Sequence, residues 1–306
     1  MFSQTHKLFT LAGHRDSVYA LAIGASAHEV FSAGTDGFVV KWDLANTGNE
    51  KPPQGQLVAQ INASVYSLCF VKEKNRLVIG ENYDGLHLID LMNNREIASS
   101  SMTKSAIFAM VYLKEILFVG CGDGLLAILN INDLSTIKRL QFSTKSVRCL
   151  ALNPVKNELA IGYSDNFIRV IDLEALKIKY QIQAHTNSVF SLCYSPDFQF
   201  LLSGSRDAHL KVWSVNQNYE LHRDIVAHLF TINSIAYSPK NQYFATCSKD
   251  KSIKIWRADD FKLLKVIDKS RHAGHGTSVN KLVWTTFHHS LLACSDDKSI
   301  SVWQLE

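Results

Sequence analysis

Short runs of alternating apolar and polar residues, each closed by a turn rich in Gly, Asp, Asn or Pro, recur along the whole chain. The stretch after Asn187 shows the pattern best. Ser188-Val-Phe-Ser-Leu-Cys-Tyr194 is followed by the turn Ser195-Pro-Asp197, then Phe200-Leu-Leu-Ser203, the turn Gly204-Ser-Arg-Asp207, and His209-Leu-Lys-Val-Trp213. A fourth run, Tyr219 to Val226, leads into the next copy. A period of two bounded by turn residues predicts half-buried strands joined in hairpins. β-Branched and aromatic residues dominate the runs, and no stretch repeats its apolar positions at helical spacing. The chain reads as all-β.

The runs are copied at a fixed interval. An aspartate marks the second turn seven times, at Asp36, Asp84, Asp123, Asp165, Asp207, Asp250 and Asp297, with spacings of 48, 39, 42, 42, 43 and 47 residues. In four copies a histidine stands 22 residues before the aspartate and a tryptophan six after it: His14/Asp36/Trp42, His185/Asp207/Trp213, His228/Asp250/Trp256 and His275/Asp297/Trp303. Such periodicity marks one supersecondary unit stacked upon its copies.

These residues resemble a known repeat. Gly13-His14 and Gly274-His275, with the weaker Ala184-His185 and Ala227-His228, are similar to the Gly-His dipeptide of WD40 repeats, and Trp42-Asp43 is the literal Trp-Asp pair. Copies two to four depart, with Ile89-Asp90, Leu129-Asn130 and Ile171-Asp172 at that place and no histidine. The resemblance covers essentially the whole chain. It implies a seven-bladed β-propeller of four antiparallel strands per blade, with residues 1–306 as a single domain. The chain is out of phase with the blades, opening on the strand-like run Lys7–Leu11 and stopping just after the run that ends at Trp303. The N-terminal strand is therefore expected to close the last blade and leave no open seam.

His185, Ser203 and Asp207 have the composition of a nucleophilic triad, as do His14, Ser32 and Asp36, while Thr246 takes the serine place beside His228 and Asp250. The family resemblance implies structure instead: the indole N–H of Trp42, Trp213 or Trp256 donates to the hydroxyl, which contacts the histidine, which bonds the aspartate. Neutral imidazole bridges two partners in one tautomer, and an active site is needed once, not three times. Ala293 occupies the hydroxyl place in the last blade, so an incomplete network is expected there. Blades two to four are expected to keep only the aspartate as a turn residue.

Composition narrows the function classes. The formal net charge is +4 and 46% of residues are hydrophobic, which suits a buried globular core. Mild basicity without a Lys/Arg stripe argues against nucleic acid. No run is apolar enough to span a membrane, and Met1–His6 lacks the basic and apolar segments of a leader. The six cysteines are spread singly, without metal or disulfide spacing, which points to the reducing cytoplasm. Gly120-Cys-Gly-Asp-Gly124 leads into a strand and reads as a hairpin turn, not a nucleotide loop. His272-Ala-Gly-His275 lacks further ligands, so neither metal nor cofactor is expected.

In the family, the loops carrying Gly-His and the turns carrying Asp share one face, the top. Two positions per blade are expected to point at its rim. One set is Tyr19, Tyr66, Phe108, Arg148, Phe190, Asn233 and Asn280; the other is Thr35, Tyr83, Gly122, Ser164, Arg206, Lys249 and Asp296. Tyr19, Tyr66, Tyr83 and Phe108 make an aromatic arc, and Arg148, Phe190, Arg206 and Lys249 a basic sector. Aromatics and arginine dominate interface energetics. The expectation is a non-catalytic scaffold that holds a protein or peptide, with an acidic or phosphorylated group near the basic sector. The plainer alternative is that the aromatics plug the channel and the charges are solvated turns. A hydrolase-type propeller with a channel site and a nucleic-acid-binding propeller are the rivals.

Overall fold

The computed structural model describes residues 5–46, 51–83 and 85–305. Each apolar run becomes a strand of five to eight residues, and the strands, numbered β1 to β28 in chain order, assemble into seven four-stranded sheets. Blade one is β2 (Val18–Ile23), β3 (Glu29–Gly34), β4 (Phe38–Asp43) and β5 (Gln56–Gln60). Blades two to six repeat this hairpin order with their first strands at β6 (Val65–Val71), β10 (Ile107–Leu113), β14 (Val147–Asn153), β18 (Val189–Tyr194) and β22 (Ile232–Tyr237). Blade seven is made from both ends of the chain. Its order is β1 (Thr5–Ala12), β28 (Ser299–Leu305), β27 (Ser290–Ser295) and β26 (Val279–Trp284), with Leu11 paired to Ile300 and Lys7 to Trp303. The first strands pack on one another in sequence and β26 returns to β2. The ring is closed.

A lone four-stranded sheet would expose two apolar faces, so each is buried against its neighbour. Seven apolar clusters result, one per interface. Val18, Leu21, Val30 and Trp42 of blade one meet Leu292, Cys294, Ile300 and Val302 of blade seven. Phe31 and Val39, from the other face of blade one, meet Val65, Leu77 and Ile79 of blade two. Trp42 and Phe31 are fully buried, each worth about 1.5–3 kcal/mol by its burial. Blades approach closely near the axis. A Cβ at Gly204 would stand 2.5 Å from Ser191 Oγ and 2.6 Å from Ile232 Cγ2 of the next blade.

The six thiols are free, five buried and Cys193 half-buried. Among the described residues one α-helical turn stands between strands, α1 (Lys269–His272), in the long loop into blade seven. Asp268 caps it by accepting the Arg271 N–H at 2.9 Å and pairs with the Arg271 guanidinium at 2.6 Å. The connection between β4 and β5 is also long, and its residues 47–50 lie outside the described residues. No described helix is long and apolar enough to cross a membrane.

Candidate functional site

Every first strand carries a bulge at its top. Pairing with the second strand skips one residue between Val18 and Ala20, Val65 and Ser67, Ile107 and Ala109, Val147 and Cys149, Val189 and Ser191, Ile232 and Ser234, and Val279 and Lys281. The skipped residues are Tyr19, Tyr66, Phe108, Arg148, Phe190, Asn233 and Asn280, the first of the two sets expected at the rim. A bulge leaves its extra residue unpaired and re-aims the side chain. Here all seven line a central channel of about 370 Å³.

Five of the seven form one continuous stack. Tyr19 and Tyr66 lie with ring centroids 5.1 Å apart, and Tyr66 and Phe108 at 5.6 Å. The Arg148 guanidinium then sits 4.2 Å from the Phe108 ring and 5.1 Å from the Phe190 ring, with its Nε donating to Ser164 Oγ at 2.9 Å. Arginine between two ring faces is held by cation–π attraction and stays charged, although burial pulls its pKa below the ordinary value. Burial, then neighbouring Tyr19, raises the pKa of the Tyr66 phenol, which remains a neutral hydroxyl. The two amides turn aside. Asn233 donates to the Val279 carbonyl at 2.8 Å, and Asn280 to the Val18 carbonyl at 2.9 Å and Asp296 at 2.8 Å. One side of the mouth is thus aromatic and cationic, and the other is spent on bracing neighbouring blades.

The second set lies outside this circle. Arg206 and Lys249 are exposed, and no carboxylate pairs with either among the described residues. Thr35, Gly122, Ser164, Arg206, Lys249 and Asp296 each donate their backbone N–H to the loop before the blade's first strand, as Arg206 does to Ser188 at 3.0 Å. In blade two that bond is made by Asn82, to Ser64 at 3.0 Å. Strand register agrees: Gly80 pairs with Leu86 as Ala33 pairs with Val39, so equal counting puts Tyr83 at the place of Asp36. The sequence alignment of Asp84 with the other turn aspartates was therefore one residue out, and Asp84 itself lies outside the described residues. Tyr83 is 64% exposed, at a φ of 95° that favours glycine.

The residues that looked catalytic are tied into the blades. His14 donates through Nδ1 to Asp36 at 3.0 Å and accepts from Ser32 at 2.8 Å, and the Trp42 indole donates to Ser32 at 2.8 Å. His185, Ser203, Asp207 and Trp213 repeat this at 2.8–3.0 Å, as do His228, Thr246, Asp250 and Trp256 at 2.8–2.9 Å. The histidines and hydroxyls are buried. Burial lowers the pKa of His185 and His228 despite their aspartates, so each is the neutral tautomer that one donor and one acceptor require. Burial likewise pushes the channel-lining Cys149 up to about 12, which removes it as a nucleophile.

Two expectations for these networks are corrected. Blade seven is not incomplete. Ser301 lies directly across from Ala293 in the β27–β28 pair; its hydroxyl is hydrogen-bonded to His275 Nε2 at 2.8 Å, beside the Ala293 carbonyl at 3.0 Å from the same nitrogen, and accepts from Trp303 at 2.7 Å. The missing oxygen comes from the facing strand, into the space that alanine leaves. In blades three and four the aspartate is also more than a turn residue. Thr103 donates to Asp123 at 2.8 Å and Ser143 to Asp165 at 2.7 Å, and Arg169 pairs with Asp165 at 2.9 Å.

Among the described residues, no three His, Cys, Asp or Glu side chains come together in a way that could hold a metal ion. His275 is taken by its network, and His272 lies 3.9 Å from Asp268. Sequence reasoning missed Ser301 and the exposed pair Leu229 and Phe230. The latter had a signal, since two large apolar residues follow Ala227-His228 where the other histidine-bearing copies carry none.

The family description "WD domain, G-beta repeat" matches residues 5–43, 176–214, 219–257 and 266–304, about half of the chain and all four histidine-bearing copies. Protein groucho of Drosophila melanogaster is 24% identical over 145 residues, 46% of this chain but only 20% of that protein. The WD40 beta propeller domain of Doa1, known from its crystal structure, superposes with a TM-score of 0.83 at 18% identity, covering 99% of this chain and 97% of that one, and shares its fold. WD40 propellers act in general as protein-interaction scaffolds. With its repeats, its closed ring of seven blades and these matches, the chain belongs to the WD40 repeat family.

Proposed function

We propose that residues 1–306 act as one non-catalytic platform whose top face captures a peptide or loop of a partner protein at the channel mouth. The observation that carries this reading is the continuous stack of Tyr19, Tyr66, Phe108, Arg148 and Phe190 on the seven-fold ring of bulges. Large flat side chains held half-buried by their neighbours lose little freedom on binding, so contact area is gained at small entropic cost. Arg148 and the unpaired Arg206 and Lys249 favour a partner segment bearing a carboxylate or phosphate near blades four to six, with exposed Tyr83 on blade two. Plugging alone does not require cations left without anions on that side of the face.

The test is affinity purification from native cells with the intact chain and with Phe190→Ala and Arg206→Ala variants. The expected result is a partner retained by the intact chain and lost, or weakened about tenfold or more, by each variant. Retention of every partner by both variants, with melting temperatures unchanged, overturns the rim as the capture site.

A further inference from the structure

On the top face, off the channel axis, the loop between blades five and six breaks the pattern of its counterparts. After the histidine, blade one carries Arg15-Asp16, blade five Thr186-Asn187 and blade seven Gly276-Thr277. The second residue of each pair is bonded within its own blade. Asp16 accepts the Ser17 N–H at 2.7 Å, Asn187 the Ser188 N–H at 2.8 Å, and Thr277 exchanges a hydrogen bond with Ser295 at 2.9 Å. Blade six has Leu229-Phe230 instead, 81% and 58% exposed, and no ring or cation stacks on Phe230 among the described residues. The backbone beneath is firmly held. Leu229 donates its N–H to Asp250 at 3.0 Å, and the Phe230 carbonyl accepts from Ser248 at 3.1 Å. Two large apolar side chains are thus presented on a rigid loop, where single exposed ones would be unremarkable.

Each of the two turns bonded to this loop carries a cation. The Ala208 carbonyl accepts the Ala227 and His228 N–H groups at 3.1 and 3.2 Å, which ties the start of the loop to the turn that carries Arg206. Lys249 donates its N–H to Thr231 at 3.0 Å, beside Phe230. The adjacent aspartates, Asp207 and Asp250, are already bound by His185 and His228.

We propose that Leu229 and Phe230 form a second contact point for the partner captured on this face, one that takes a large apolar side chain flanked by acidic residues. Charge complementarity selects that occupant. Apolar residues held between turns that carry unpaired Arg206 and Lys249 fit a segment in which Asp or Glu borders an aromatic or aliphatic residue. An anionic membrane is the poorer fit, because lipid-binding clusters run to four to eight cations. This inference rests on the scaffold reading and adds the off-axis position and the chemistry of the captured segment.

The test is selection of short random peptides displayed on phage against the full chain, followed by affinity measurement with labelled synthetic copies of the winners. Recovered peptides are expected to pair an aromatic or aliphatic residue with neighbouring Asp or Glu. Leu229→Ser and Phe230→Ser are each expected to weaken them about tenfold, Arg206→Glu and Lys249→Glu at least as much, with melting temperatures unmoved because all four side chains are exposed. Peptides insensitive to Leu229→Ser and Phe230→Ser but lost with Phe190→Ala overturn this contact and leave the channel mouth standing. Failure to recover any peptide overturns both. The proposal also falls if Phe230→Ser abolishes instead binding to phosphatidylserine vesicles or to single-stranded polyuridylate, or disperses a dimer of the chain.

Discussion

Blades one, five, six and seven join histidine, hydroxyl, aspartate and tryptophan, whereas blades two to four close the same ring without that histidine. The difference shows what the network supplies. In both groups, wherever the turn aspartate is described, something crosses from the entry loop to that turn: His185 to Asp207 in one case, Thr103 to Asp123 or Ser143 to Asp165 in the other. Six blades make that crossing, and imidazole is one way to make it. Charge is handled differently as well. Buried His185 and His228 are neutral, while blade four matches Asp165 with Arg169, itself stacked 4.6 Å from the Tyr163 ring. Blades two to four also supply the middle of the rim stack, Tyr66, Phe108 and Arg148.

The largest effect that bears on this contrast comes from removing residues 1–12. Blade seven has a complete network yet owes its outer strand to β1, so deletion tests whether closure or the network holds it. Loss of β1, with fully buried Leu11, is expected to lower the melting temperature by more than about 10 °C or abolish cooperative unfolding. An unchanged melting curve would sink the closure argument. Next comes Ser301→Ala, which leaves His275 and the Trp303 indole without their shared oxygen at an expected cost of about 1–3 kcal/mol by urea unfolding. Adding Ala293→Ser to that variant restores the oxygen from the facing strand, as in blades one and five, and recovers most of the loss. If the double variant were no more stable than Ser301→Ala alone, the cross-strand substitution would be the wrong account.

The smallest effect is a pH dependence of opposite sign in the two groups. His185 and His228 have lowered pKa values, so the unfolded chain binds protons that the folded one refuses, and their contribution is lost as pH falls below about 6.5. Asp207 and Asp250 reinforce this at lower pH. Burial opposes ionisation of each, but the histidine partner together with hydrogen bonds from nearby backbone N–H groups outweighs it and holds the pKa well below the carboxylate range. His87 in blade two behaves the other way. Burial disfavours its charge, yet hydrogen bonds to Glu81 and Glu96, each at 3.0 Å, outweigh that and raise its pKa. Its contribution is full below about pH 6.5 and lost as pH rises through the elevated value. His87→Gln is expected to flatten the alkaline side of the stability profile by less than about 1 kcal/mol and leave the acid side alone. Flattening on the acid side would reverse the assignment.

Much of this was legible in the sequence because copying exposes it. Blade number, phase and three networks follow from spacings repeated too often for chance. Ser301 was hidden because its partner place, Ala293, is opposite in register and not near in the repeat pattern. Tyr83 was misplaced because an aspartate stood one residue away and nothing in a single copy fixes the count. The ring positions from Tyr19 to Asn280 were found by family resemblance, but the reason they face the channel, a ladder that skips one residue, leaves no mark in composition or periodicity.

That skipped residue has a consequence for how such a surface can vary. A side chain without a cross-strand neighbour answers to no pairing rule, so the ladder on either side is indifferent to what stands there. Tyrosine, phenylalanine, arginine and asparagine all occupy the seven sites of this one chain. At the five stacked positions the frame thus offers sockets whose contents can be exchanged while the wall that holds them stays as it is; Asn233 and Asn280, which tie blade to blade, are not so free.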